Sequence, residues 1–401
     1  MQTERGERQY RRLDSLAEVA GGVALGGSAP SGSSVELPYL RVANVQDGHI
    51  STAEVKTLRV PAASVERFRL NHGDVLLTEG GDFDKLGRGA VWDGRIDPCL
   101  HQNHVFRVRC FEAVLLPEFL ALYMASPEGR AYFLRIAKQT TNLATISSSQ
   151  LNAMPIPSLP VSDQRRIVEV IDAVSEQERA LKASIVKLDK LRSGVMAELE
   201  GLECGAFEDV LDFGPQNGIY KPASSYGPEG TPIVRIDSFK GGPSDLTRNL
   251  LRVTLGKGEV DRYSLDVGDI LINRVNTPDL VGKATAVGKL VEPIVFESNM
   301  MRCRVGADRA VPSFVETWLG SSPVKAHFRT RAKSAISQAS INGSDVRSCP
   351  FPRLDVPGQA EFLLRLAAVR DQHQLEAAEL AKLNDLKKGI VGDLLEGGAG
   401  R

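Results

Sequence analysis

The chain has 401 residues, 42% of them hydrophobic and 25% charged, with 49 Lys and Arg against 50 Asp and Glu and a formal charge of −1. This composition suits a globular chain of two or three domains, and the charge balance gives no global cationic field that would advertise a nucleic acid or a membrane. No apolar run approaches the roughly 20 residues needed to span a bilayer, and the charged start, Met1 to Arg12, lacks a signal-peptide core, so a cytoplasmic location without membrane contact is expected.

Gly21 to Ser34 is rich in Gly and Ser, with no lysine after Gly21-Gly22 or Gly26-Gly27 at phosphate-binding spacing, and reads as a flexible loop. Short apolar runs then predict strands at Tyr39 to Val45, Asp74 to Thr78 and Val105 to Val108, with a polar loop after the second. His101 and His104 have a spacing that can bind metal, but no cysteine cluster or HExxH pattern accompanies them, so no metal site is expected. A helical pair follows, Pro117 to Ala125 and Gly129 to Lys138. Pro155 to Pro160 then stops any helix, and Ser162 to Glu200 predicts one long helix.

The second half repeats this order at an offset of about 195 residues. Pro38-Tyr39-Leu40-Arg41-Val42 answers Pro232-Ile233-Val234-Arg235-Ile236. Gly73-Asp74-Val75-Leu76-Leu77 answers Gly268-Asp269-Ile270-Leu271-Ile272, and Gly87 answers Gly282. Phe119 and Phe314, Phe133 and Phe328, Ala137-Lys138 and Ala332-Lys333, Pro155-x-Pro157 and Pro350-x-Pro352, Gln164 and Gln359, and Lys187-Leu188 and Lys382-Leu383 keep the same offset. Strands at Ile233 to Asp237 and Asp269 to Asn273, helices at Pro312 to Leu319 and Val324 to Lys333, and a long helix at Gly358 to Glu396 follow. A period this long is a duplicated domain with its connector, too large for a solenoid unit. Cys99, Cys110, Cys204, Cys303 and Cys349 are odd in number and widely spaced, which argues against disulfides and a zinc site and makes them buried small hydrophobes.

Both long helices carry heptads. Ile167, Val174, Leu181, Leu188 and Val195 form one seam position, with Ile171, Glu178, Ile185, Arg192 and Leu199 at the other. The copy has Phe362, Val369, Glu376, Leu383 and Ile390, with Leu366, His373, Leu380, Lys387 and Leu394. A seam this narrow belongs to a coiled coil; an amphipathic helix lying on its own lobe is the alternative. If the helices pair, they run antiparallel, each about 60 Å long at 1.5 Å per residue, and the lobes are expected at opposite ends under an approximate two-fold relation. Pairing Arg192 with Glu376 sets a register in which Leu188 meets Leu380 and Ile185 meets Leu383. The polar seam residues would also mark where further helices dock. Two similar lobes at fixed separation suit a reader of two half-sites on DNA, whose strands run antiparallel; because the lobes differ, the half-sites should differ.

Pro38 to Val42 and Gly230 to Ile236, each followed by a Gly-Asp-hydrophobic strand, together with Met154-Pro155-Ile156-Pro157-Ser158-Leu159-Pro160 before Gln164 and the helix end Met196-Ala197-Glu198-Leu199, closely resemble the specificity subunit of type I restriction-modification systems. The resemblance covers nearly the whole chain. It implies an α+β fold of two tandem-duplicated mixed α/β target recognition domains separated by two long antiparallel coiled-coil helices. The domains fall at 1–160 and 202–357, with spacer helices at 161–201 and 358–396. Each lobe would read one half of a bipartite asymmetric site on double-stranded DNA. The helices would set the gap and bind two DNA adenine methyltransferase subunits, and ATP-dependent restriction-translocase subunits would complete the complex. No cofactor is expected on this chain; S-adenosylmethionine, ATP and Mg²⁺ are expected on the partners.

Base readout needs amide and guanidinium forks, and phosphate contact needs Lys, Arg, hydroxyls or helix amino ends. The loops after the Gly-Asp strands offer Thr78, Glu79, Asp82, Lys85 and Arg88 in lobe one, and Asn273, Arg274, Asn276, Thr277 and Lys283 in lobe two. A second surface holds Lys325, Arg329, Arg331, Lys333, Ser337 and Gln338, echoed by Arg130, Arg135, Lys138, Thr140, Thr141 and Asn142. Val324 to Lys333 has four cationic side chains and no acid, a local field that the total charge conceals. The alternatives are a solvated hairpin loop and a solvated helix face.

Enzyme motifs are absent: no GxxxxGK[ST], no G-x-S-x-G, no Asn-Pro-Pro-aromatic tetrad. Asp82 and Asp84 could bind Mg²⁺, yet the second loop keeps only Asp279, so a duplicated nuclease centre is not expected. The chain reads as a non-catalytic DNA-recognition subunit. A coiled-coil protein-interaction scaffold and the recognition module of a single-chain restriction-methylation enzyme are the competing readings.

Overall fold

A computed structural model describes residues 9–24, 33–81, 86–139, 144–239, 242–334 and 338–395. Asp82, Asp84, Lys85, Thr140, Thr141, Asn142, Ser337 and most of the Gly/Ser-rich segment lie outside them. The chain divides into two compact units, Met1–Lys182 with Ala378–Arg401, and Ala183–Ala377.

Each unit is built around a four-stranded antiparallel sheet. In the first its order is Ala17–Gly21, Val105–Cys110, Val75–Thr78, Gly89–Val91; in the second it is Leu211–Asn217, Met300–Val305, Ile270–Asn273, Ala284–Ala286. All four side chains of Val75–Thr78 and of Ile270–Asn273 are buried, which explains their unbroken rather than alternating hydrophobicity. The registers correspond residue for residue: Val105 faces Thr78 and Met300 faces Asn273. A side sheet joins Leu100–His101, Ser34–Leu40 and Lys56–Pro61, matched by Val295–Phe296, Thr231–Val234 and Leu251–Val253, with Tyr226–Gly227 added at the edge.

The strand Ala17–Gly21 has its counterpart in Leu211–Asn217 at the same offset of about 195 residues, and two register shifts in Leu211–Asn217 account for its greater length. The proline-rich exits are short strands themselves. Pro155–Pro157 pairs with Tyr10–Arg12, and Pro350–Pro352 with Cys204–Ala206.

The repeated Gly-Asp pair closes a turn. Gly73 and Gly268 take φ of +86° and +92°, open to a residue without Cβ. Asp74 then accepts from the Asn71 N–H at 2.7 Å and from Arg109 Nε and a terminal guanidinium nitrogen at 2.8 and 2.7 Å; Asp269 accepts from the Asp266 N–H at 2.9 Å and Arg304 Nε at 2.8 Å. The motif is structural, and both carboxylates are buried.

Against each central sheet packs a helical pair, Pro117–Ala125 with Pro127–Ile136 and Pro312–Leu319 with Ser322–Arg331. Phe119, Tyr123 and Phe133 meet Val75, Leu77, Phe106 and Val108 in one core; Phe314, Trp318 and Phe328 meet Ile270, Ile272, Met301 and Cys303 in the other. Burying each such aromatic contributes about 1.5–3 kcal/mol. Cys99, Cys110, Cys303 and Cys349 are buried, and burial pushes their thiols up to about 12. Cys204 departs from the expectation: it sits exposed on the edge strand after the first long helix.

The long helices run Val161–Glu200 and Val356–Leu395. Each is fastened to its lobe by a buried glutamine. Gln164 Nε2 donates to the Val114 and Leu159 carbonyls and Oε1 accepts from the Leu116 N–H, all at 2.9 Å. Gln359 repeats this with Arg309 and Leu354 carbonyls and the Val311 N–H at 3.0, 2.8 and 2.9 Å.

Within each unit the two helices pack antiparallel. In the first, Ile390 and Val391 join the core beside Ile167 and Ile171, and Lys387 reaches Glu178. In the second, Phe362 packs with Val195 and Leu199, Arg365 pairs with Glu198 at 2.7 Å and His373 with Asp189 at 3.7 Å. Of the expected seam, Ile167, Val174, Val195, Phe362 and Val369 are buried, and Leu181, Ile185, Leu188, Glu376, Leu380, Leu383 and Ile390 half-buried.

Arg192 is the exception. Its guanidinium is exposed and turns to Asp189 at 3.6 Å, while Glu376 is held by Gln372 and Ser184, whose hydrogen bonds keep its carboxyl below the usual range. Ser184 precedes Arg192 by eight residues, about 12 Å of helix, so the expected Arg192–Glu376 register does not form. A single compensated charge pair contributes little, and the whole apolar seam sets the register instead.

Candidate nucleic-acid interface

In both lobes the loop after the Gly-Asp strand and the basic segment that follows the helical pair meet in one small sheet. Gly80–Gly81 pairs with Ala144–Thr145, which pairs with Lys138–Gln139; Val275–Asn276 pairs with Ala339–Ser340, which pairs with Lys333–Ser334. Two regions separated by about 60 residues in sequence thus form one surface per lobe.

A glycine makes that meeting close. Gly87 and Gly282 have φ of +72° and +81°, and a Cβ on them would lie 2.4 Å from the Phe133 ring and 2.2 Å from the Phe328 ring. The recurrence of Gly with Phe across the duplication is therefore a packing pair.

Not every expected contact residue reaches the surface. Thr78 and Asn273, at the strand ends, are buried, Thr78 with its hydroxyl 3.5 Å from the Arg88 carbonyl. Lys283 turns its ammonium inward to the Ile236 and Phe239 carbonyls and over the Phe239 ring, and burial lowers its pKa. These three support the surface from within. Arg88 is half-buried, Arg130 is bound to Asp47 and the Ala125 carbonyl, and Arg274 donates to the Ser298 carbonyl at 3.3 Å. Asn276 is half-buried, its side-chain oxygen accepting from the Thr277 N–H at 2.8 Å, and Glu79 meets His104.

The exposed positive charge lies in Arg135, which stacks over the Tyr132 ring at 5.5 Å, and Lys138 of lobe one, and in Lys325, Arg329, Arg331 and Lys333 of lobe two, with Gln338 exposed beside them. Arg329 pairs with Asp279 at 3.3 Å; Lys325, Arg331 and Lys333 have no ion pair among the described residues.

The two lobes differ in the cleft between loop and helix. In lobe two a cavity of about 350 Å³ is lined by Gly242, Asp279, Lys283, Lys325 and Phe328. Its counterpart in lobe one, lined by Asp47, Arg88 and Arg130, holds only about 10 Å³. Gly48 and Gly242 hold the same place, each with φ of +74° and its N–H on the opposite strand, at the Gly89 and Ala284 carbonyls; beside Gly48 the ion pair of Asp47 with Arg130 lies in the lobe-one cleft. Beyond the expected residues, lobe two has an open cleft of about 400 Å³ bounded by Tyr220, Tyr226, Arg235, Glu297, Ser298 and Asn299, adjoining Arg274. Only the backbone order of the sheets brings these together, so no local sequence pattern could have found them.

His101 is buried, its Nδ1 2.8 Å from the Val105 carbonyl, and His104 belongs to the Glu79 pair. Among the described residues no three or more metal-ligating side chains gather, and no helix is long and apolar enough to cross a membrane.

The chain is similar to known proteins along most of its length. The chain is 26% identical over 397 residues to the type I restriction enzyme EcoKI specificity subunit of Escherichia coli strain K12, spanning 90% of this chain and 82% of that protein. It is 24% identical over 400 residues to the StySPI specificity subunit of Salmonella potsdam, with 90% and 82% covered. No family model matches the chain. Among solved structures, the HsdS subunit from Thermoanaerobacter tengcongensis superposes with a TM-score of 0.54 over 99% of this chain and all of that one, at 16% identity. The type I restriction-modification S subunit from M. genitalium gives 0.53 over 98% of each, at 13% identity.

Proposed function

We propose, for a chain that belongs to the specificity subunits of type I restriction-modification systems, the non-catalytic members that recognise the DNA target, that each lobe reads one half of a two-part asymmetric site. The observation that carries this reading is the duplication: one backbone frame, built twice, presents different side chains from the same small sheet. Two equal frames with unequal surfaces suit two half-sites of unequal sequence.

The long helices set the gap between the half-sites and receive two DNA adenine methyltransferase subunits. Supporting this, Leu364, Leu375 and Leu386 recur every eleven residues along the second long helix, hence on one face, and are 73%, 62% and 54% exposed. Large apolar side chains left open on a helix whose other face is already packed mark a protein-docking surface. S-adenosylmethionine, ATP and Mg²⁺ act on the methyltransferase and translocase partners.

Lys325, Arg331 and Lys333 supply phosphate contact in lobe two. In a complex of this chain with its methyltransferase, Lys325→Gln with Arg331→Gln should weaken DNA binding and lower the slope of log affinity against log salt by about 2. An unchanged slope would remove these residues from the interface.

A further inference from the structure

The scaffold of the two lobes repeats its chemistry at several interior positions: Asp74 and Asp269 with their arginines, Gln164 and Gln359 with their carbonyls, Gly87 and Gly282 with their phenylalanines. On the surface the backbone repeats where the side chains do not, and the end of the central sheet is one such place. Glu79 donates its N–H to the His104 carbonyl at 3.0 Å, and Arg274 donates to the Asn299 carbonyl at 2.8 Å. The Glu79 carbonyl accepts from the Ile146 N–H at 2.9 Å, and the Arg274 carbonyl from the Ile341 N–H at 3.0 Å. Each pair sits at the end of the central sheet, directly beyond the facing residues Thr78–Val105 and Asn273–Met300. Backbone bonds, not side chains, therefore fix the mount, and its side chains can be exchanged without disturbing the fold.

What stands on the mount differs completely. In lobe one the Glu79 carboxylate and His104 Nδ1 meet at 2.8 Å, with both side chains reaching solvent. In lobe two Arg274 is tied to the Ser298 carbonyl, and the half-buried Asn299 has no hydrogen bond to its side-chain amide among the described residues. Beside Asn299 lies the open cleft with exposed Tyr220 and with Arg235, whose Nε is 3.4 Å from the Glu297 carboxylate.

Resting on the reading that each lobe recognises a half-site, we propose that residues 79 and 104 in lobe one and residues 274 and 299 in lobe two are the specificity-determining pair of each lobe. The chemistry distinguishes their targets. A carboxylate is acceptor-only and takes the exocyclic amino group of cytosine, with His104 orienting it. An amide offers a donor beside an acceptor, the pattern of the adenine major-groove edge, and the guanidinium alongside it suits guanine. The two lobes thus differ in which bases they accept because one interchangeable pair differs.

The test maps modified adenines in cells producing this chain with its methyltransferase, comparing wild type, Asn299→Ala and Glu79→Gln. Asn299→Ala should raise modification at least tenfold at sites altered at one position of one half, leaving the other half and the gap unchanged. Glu79→Gln should do the same in the opposite half. Because backbone bonds hold the mount, both variants should melt as wild type does; if either fails to fold, Asn299→Asp and Glu79→Asp keep the mount and must show the same one-sided change. An unaltered base preference in folded variants, or broadening in both halves from one substitution, would overturn the assignment. If the wild-type complex itself yields no two-part motif, the half-site reading falls instead, which separates the two failures.

Discussion

Lys387 Nζ lies 2.9 Å from Glu178 Oε2, joining the end of the second long helix to the first, and Glu178 is only 7% exposed. The pair sits among the apolar seam residues that set the register, and Lys387 keeps the Glu178 carboxylate from being buried without a partner. Lys387→Ala leaves a buried carboxylate unpaired and should cost about 2–3 kcal/mol in chemical denaturation. Replacing both residues, Lys387→Met with Glu178→Leu, should recover most of that loss. A single variant as stable as wild type would show that the pair does not hold the helices.

Gln164 satisfies two carbonyls and one N–H at the junction of helix and lobe. Gln164→Leu keeps the volume and orphans all three partners, at an expected cost of about 2–4 kcal/mol. Gln359→Leu should behave alike in the second unit. Urea titration of each variant measures it, and a change below about 0.5 kcal/mol would contradict the role.

Glycine substitutions should split by environment. Gly282→Ala meets the Phe328 ring and a positive φ, so overpacking and backbone strain together should cost about 2–4 kcal/mol. Gly194, in the first long helix with no atom within 4 Å of a built Cβ, should instead gain roughly 0.5–1 kcal/mol on change to Ala. Thermal melting of the two variants should therefore move in opposite directions.

Burial pushes His101 down to about 4 from 6.5, with its ring neutral in the folded state. Between these values the unfolded chain binds more protons than the folded one, so stability falls as pH drops from 6.5 toward 4 and is complete above it. The contribution lost should reach about 3 kcal/mol, and His101→Asn should flatten the wild-type stability profile in that window alone. Parallel profiles for the two proteins would refute it.

Much of the architecture was legible because the duplication supplies a second copy against which each pattern can be checked. Pro117–Ala125, Pro312–Leu319 and the long helices lie where periodicity and proline placement put them. What escaped depends on tertiary context. Thr78 and Asn273 read as loop residues because a strand buried on both faces gives no alternation to mark where burial ends. Lys283 read as a surface cation because nothing local shows that carbonyls 44 and 47 residues away face it. Arg192 occupies a seam position by counting, yet its long side chain reaches out to solvent. His104 and Asn299 escaped because only strand pairing sets them beside Glu79 and Arg274.

The most direct measurement is a genome-wide map of modified adenines in cells that produce this chain together with the adenine methyltransferase proposed as its partner. The two unequal lobes predict a single motif of two specified parts, different in sequence and separated by a fixed gap of unspecified bases. A continuous palindrome, or no modification dependent on this chain, would contradict the account.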